Sequence, residues 1–238
     1  MNILAIGNSF SEDATRYLHG IARAGEVDLA VANLYIGGCS LERHYQNMLT
    51  GGRAYELQYN GQLTHFAVSL AEALDNRPWD VVTLQQASHF SFDAATYQPY
   101  VGRLAAYIRE RVPSARLFLH QTWAYEEGSE RLLRVAGYAR AADMLADVTK
   151  AYAQIATQVD ADGIIPSGEL LGRLAAAGVG PLHRDTFHAS LGLGRYAMGL
   201  LWYRVLCHKP VADNAFCDFD EPIDPQMIMT VKRCVETW

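Results

Sequence analysis

The sequence predicts an α/β protein, a three-layer α/β/α sandwich around a doubly wound, five-stranded parallel sheet. Three observations lead there. Five short apolar runs alternate with stretches of helical periodicity, the pattern of successive βαβ units joined by right-handed crossovers. The unusual polar and glycine clusters each follow one of these runs, where a buried strand would leave the sheet. The chain has 238 residues, half of them hydrophobic, enough to bury both faces of such a sheet in a single domain, 1–238.

The first run, Asn2 to Ile6, ends at Gly7-Asn8-Ser9, and Ala14, Tyr17, Leu18, Ile21 and Ala22 continue at helical spacing. Asp28 to Tyr35 is a second strand, closed by Gly37-Gly38, and Leu41 to Leu49 a short helix. Asn60-Gly61 between Tyr55–Tyr59 and Gln62–Phe66 signals a hairpin, read as a small excursion (55–66) outside the main sheet. A helix over Ser69 to Asn76 stops at Arg77-Pro78. Trp79 to Leu84 is the third parallel strand, running into Gln85-Gln86-Ala87-Ser88-His89. A helix from Tyr100 to Arg111 and a strand from Ala115 to Leu119 follow, then a long amphipathic helix from Ser129 to Val159. Gly163 to Pro166 is the fifth strand. Helices over Glu169 to Ala177, Ser190 to Leu206 and Gln226 to Glu236 complete the chain, the loop His183 to His188 lying between the first two.

Ser9 sits at the C-terminal end of the first strand and the start of a helix. Ligands of open α/β sheets bind at that end, and free N–H groups and the positive helix pole suit a nucleophile whose reaction develops an oxyanion. Ser9-Phe10-Ser11-Glu12 also reads as an ordinary capping box. A serine nucleophile needs a base and a group that orients the base. Asp185 and His188, three apart on one turn, can supply both. The N–H groups of Ser9 and Gly38 and the side chain of Gln85 are candidate oxyanion donors.

Gly7-Asn8-Ser9-Phe10-Ser11, the block Ile36 to Glu42 around Gly37-Gly38, Leu84 to Ser88, and Asp185-Thr186-Phe187-His188 together resemble the SGNH (GDSL-like) hydrolase superfamily, in particular a bacterial branch with a Gly-Asn-Ser-Phe-Ser first block. The resemblance implies a flavodoxin-like sheet, Ser9 as nucleophile, His188 as base, Asp185 as its orienter and Gly38 as an oxyanion donor. The superfamily's Gly-x-Asn-Asp block is Gln85-Gln86-Ala87-Ser88 here, so the third donor role passes to Gln85, with Gln86 next. It further implies ester hydrolysis without cofactor or metal. His44, His89, Gln121 and Trp123, with Gly37 and Gln86, are candidate substrate contacts that suit a carbohydrate carrying a short acyl group, most simply acetyl.

Other readings compete. His183, Asp185 and His188, with His120 or His89, could form a metal-dependent hydrolase site, and a non-catalytic carbohydrate-binding protein could share the fold. A net charge of -6 without a basic stripe argues against a nucleic-acid partner. No apolar run reaches the length of a membrane span, and oligomeric state is left open. Cys39, Cys207, Cys217 and Cys234 form no C-x-x-C pair, so free thiols are expected, with a Cys207–Cys217 link as the alternative. The first strand follows Met1 directly. That implies a cytoplasmic protein as written, or an exported one if Met1 replaces a removed signal.

Overall fold

The computed structural model describes all 238 residues. Seven strands form one sheet: β1 (Asn2–Gly7), β2 (Ala30–Tyr35), β3 (Tyr55–Tyr59), β4 (Gln62–Val68), β5 (Val81–Leu84), β6 (Arg116–His120) and β7 (Gly163–Ile165), in the order β4-β3-β2-β1-β5-β6-β7. The strands β2, β1, β5, β6 and β7 are parallel. Counted alone, these five run 2-1-3-4-5, the flavodoxin-like order, and its switch point lies between β1 and β5. Ligands of such sheets bind beyond the strand ends at that point.

The hairpin is where the sequence reading needs correction. It continues the sheet instead of leaving it: β3 pairs antiparallel with β2, Ala32 opposite Tyr59, and β4 pairs with β3, which makes seven strands of the expected five. The edge of β2 offers unpaired backbone groups that a nearby hairpin satisfies. A side-chain bond from Asn33 Nδ2 to Gln58 Oε1 (2.8 Å) locks the register.

Strand alternation builds two cores. Ile3, Ala5, Val31, Val81 and Phe118 face a layer made by α1 (Ser9–Thr15), α2 (Leu18–Ala24), α7 (Ser167–Ala176), α8 (Leu193–Cys207) and α9 (Pro225–Val235). Leu4, Ile6, Leu34, Val82, Leu84, Leu117 and Leu119 face α4 (Leu70–Asp75), α5 (Tyr100–Arg111) and α6 (Ala141–Gln158), with α3 (Leu41–Thr50) joining through Leu41.

Two expected helices are divided. The first breaks at Arg16 and Tyr17 into α1 and α2. The helix expected over 129–159 is interrupted at Gly137, whose φ of 78° ends a π-helical turn over Leu132–Ala136 before α6 begins. All four cysteines are free thiols. No helix is long and apolar enough to cross a membrane.

Candidate active site

Asn8, not Ser9, caps α1. Its backbone is extended and its Oδ1 accepts the Phe10 N–H at 3.0 Å, while the Glu12 carboxylate, the would-be capping-box partner, instead accepts from Gln58 Nε2 at 2.8 Å. The Ser9 hydroxyl is therefore released from any capping duty. It lies 2.8 Å from His188 Nε2, and the same imidazole donates from Nδ1 to Asp185 Oδ2 at 2.7 Å. With Nδ1 protonated, Nε2 carries the lone pair that accepts the Ser9 proton. The second oxygen of Asp185 accepts the His188 backbone N–H at 2.9 Å, so one carboxylate sets both the ring and its peptide. Burial pushes the Asp185 carboxyl up. The hydrogen bonds from the His188 ring and backbone outweigh it and hold the group below the ordinary carboxylate range.

The loop that presents this pair is held from several sides. Arg184 N–H donates to His188 C=O (3.0 Å), and the Thr186 carbonyl accepts from Glu126 N–H (2.7 Å). Thr186 has φ 73°, a conformation unfavourable for a β-branched residue that these neighbours enforce. Trp123 stacks on Phe10 at 4.0 Å and donates Nε1–H to the Phe187 carbonyl at 2.8 Å, bracing the neighbours of both Ser9 and His188.

Asp13 contributes a third brace. It is fully buried in α1, accepts from Ala189 N–H (3.1 Å), and pairs with Arg184 Nη1 and Arg195 Nε, each at 2.9 Å. Burial raises its carboxyl pKa even against the two guanidinium groups.

Around Ser9 and His188 opens a cavity of about 450 Å³, bounded by Asn8, Glu12, Tyr35, Gly37, Gly38, Ala87, Ser88, His89, Tyr125, Arg131 and Arg184 among others. Gly38 has φ 63°, which glycine adopts without strain. The turn it forms is tied to the nucleophile strand by Asn8 Nδ2–H donating to Cys39 C=O at 3.0 Å.

Of the residues expected at the site, Ser9, Asp185 and His188 come together, and Gly37, Gly38 and His89 line the cavity. Gln85 does not. It is buried behind Asn8, and both ends of its amide are engaged. Since Asn8 Oδ1 already accepts from a backbone N–H, it must also accept from Gln85 Nε2 (2.6 Å). Gln85 Oε1 then faces His120 Nδ1–H (2.9 Å), and His120 Nε2 accepts from Ser167 Oγ–H (3.1 Å). The expectation that Gln85 donates to an oxyanion is thus corrected: it positions Asn8.

The other expected contacts also serve the scaffold. Gln86 accepts from Leu41 N–H and donates to Thr96, and His44 is enclosed against Tyr55 and Cys39. Gln121 is engaged with Glu169, and Trp123 is buried. His183 turns its Nε2 to the Ala124 carbonyl (3.2 Å), and no three His, Cys, Asp or Glu side chains converge as metal ligands, which removes the geometric basis of the His183/Asp185/His188 metal reading. Asp13, Arg131 and Arg184 were not anticipated. A charged residue on the otherwise apolar Phe10–Ala14–Tyr17 stripe is the one signal that could have pointed to Asp13.

A DUF4886 family protein from Bacteroides uniformis is 32% identical, with a TM-score of 0.93 over 100% of this chain and 93% of that one. A candidate SGNH hydrolase from Slackia heliotrinireducens shares the fold at TM-score 0.60 and 24% identity, covering 87% and 98% of the two chains. An acetylxylan esterase from Geobacillus stearothermophilus does so at 0.52 and 14%, covering 91% and 94%. A comparison with curated proteins finds no match. The family model described as "Domain of unknown function (DUF4886)" matches residues 2–224, and the chain belongs to that family.

Proposed function

We propose that this protein is a serine ester hydrolase that removes a short acyl group, most simply acetyl, from a carbohydrate or similar small ester. One observation carries the reading: the continuous hydrogen-bonded path from Ser9 Oγ through His188 to Asp185, at 2.8 and 2.7 Å, open to a cavity. His188 takes the Ser9 proton as Oγ attacks the ester carbonyl. The N–H groups of Ser9 and Gly38 hold the oxyanion that forms. Collapse expels the alcohol with the proton from His188 and leaves acyl-Ser9. Water, activated by His188, then releases the acid and restores the hydroxyl.

The acetyl preference draws support from structures of this fold that are named acetylxylan esterases, and Gly37, His89 and Tyr125, which line the cavity, are our candidates for contact with the alcohol portion. Hydrolysis of p-nitrophenyl acetate by the intact protein, with a chelator present, is the test. Turnover that is lost in Ser9→Ala supports the proposal. Equal turnover in both would overturn it.

A further inference from the structure

Two arginines line the cavity, and only one of them is neutralised. Arg184 is paired with the buried Asp13. Arg131 has no ion pair and no hydrogen bond. Its carboxylate neighbour Glu130 is turned to Arg134 instead, at 3.3 Å. The guanidinium carbon of Arg131 lies 3.6 Å from the centroid of Phe187 and 5.5 Å from that of Tyr125. Held over these rings with none of its N–H donors bonded, the guanidinium can offer them to a planar oxyacid.

The position is informative. Phe187 precedes His188, their ring centroids 3.7 Å apart, so Arg131 stands one ring away from the base. Arg131 belongs to the segment that follows β6, whereas Glu12, the one carboxylate that lines the cavity, accepts at Oε1 from Gln58 of β3 on the other side of the β1/β5 switch point. The cavity therefore has an anionic flank and a cationic flank with Ser9 between them. The charge of Arg131 is felt at His89, where burial first and Arg131 second depress the imidazole pKa.

We propose that the ester bound at Ser9 carries a carboxylate on its alcohol portion, an acylated acidic sugar being one such molecule, and that Arg131 binds it. One free guanidinium calls for one negative charge. This inference rests on the hydrolase reading, and the test separates the two.

The kcat/KM values for 4-acetoxybenzoate and its methyl ester are measured at low ionic strength with the intact protein, Arg131→Gln and Arg131→Lys. The wild-type protein is expected to favour the acid by about tenfold or more, as a charge-assisted bidentate contact allows. Arg131→Gln should bring the ratio near one, and Arg131→Lys should retain part of the preference. A wild-type ratio near one, or an equal fall on both esters in Arg131→Gln, would overturn the proposal. Calorimetric binding of both esters to Ser9→Ala, with and without Arg131→Gln, needs no turnover. Tighter binding of the acid that depends on Arg131 upholds the anion site even if wild-type protein hydrolyses neither ester, and then the hydrolase reading alone fails. Equal binding of acid and ester overturns the anion site.

Discussion

The carboxylate of Asp13 accepts the backbone N–H of Ala189 at 3.1 Å, so the helix that begins at Ser9 and the loop that ends at His188 are joined by one buried side chain. The same carboxylate meets Arg184 and Arg195, and Arg195 continues to Asp220, which also binds Arg16. The separation of Ser9 from His188 is therefore set within a charged cluster, independently of the triad's own hydrogen bonds.

Asp13→Asn should cost roughly 1.5–3 kcal/mol, because Arg184 is left facing a neutral amide while Arg195 keeps its pair with Asp220. Urea unfolding measures this. A loss below about 1 kcal/mol would mean that the cluster is relaxed by water.

Asp185→Asn keeps the shape but withdraws the charge that orients and stabilises the imidazole. We expect kcat on p-nitrophenyl acetate to fall by about 10²- to 10⁴-fold with little change in KM or in the unfolding midpoint. Asp185 is partly exposed, so its removal strands no buried charge.

Asn8→Asp distinguishes two duties of one side chain. An aspartate still caps α1, but it cannot donate to the Cys39 carbonyl and places negative charge beside it. The Gly38 turn should loosen, giving a fall of about tenfold or more in kcat, with the helical signal in circular dichroism retained. Unchanged kcat would show that the turn holds without Asn8.

His44 and His120 are fully buried, and burial lowers each pKa to about 3. Their unfolded value is about 6.5, so below that pH the unfolded chain binds protons that the native chain refuses. Stability is complete above about pH 6.5 and declines as pH falls toward 3, by up to about 1.4 kcal/mol per pH unit for each histidine. Urea midpoints from pH 7 to 4 should fall more gently in His44→Gln than in the wild-type protein. Parallel curves would contradict the assignment.

The parallel sheet and the polar line at its carboxyl edge were legible because each strand is a short apolar run that ends in residues unsuited to a core. Asn60-Gly61 announces a hairpin by local turn chemistry, but nothing local says which strand it will pair with, and β2 was free to take it. The helix break at Gly137 turns on a single residue in a segment whose periodicity otherwise continues. Gln85 shows a different limit: whether an amide after a strand turns inward or outward depends on His120, 35 residues further along the chain, and on Ser167, another 47 beyond His120. Arg131 and Arg184 carry no pattern of their own, since a lone arginine acquires meaning only from the ring or carboxylate that folding brings to it.

The nucleophile and base lie 179 positions apart, and every anchor that Asp13 uses lies at residue 184 or beyond. A ribosome therefore delivers Ser9 well before its base and braces. A nascent chain that has folded its first strands still lacks the Ser9–His188 contact, so no reactive serine is exposed to the cell before the sheet is complete. Truncation anywhere before about Arg195 should remove the site outright rather than weaken it.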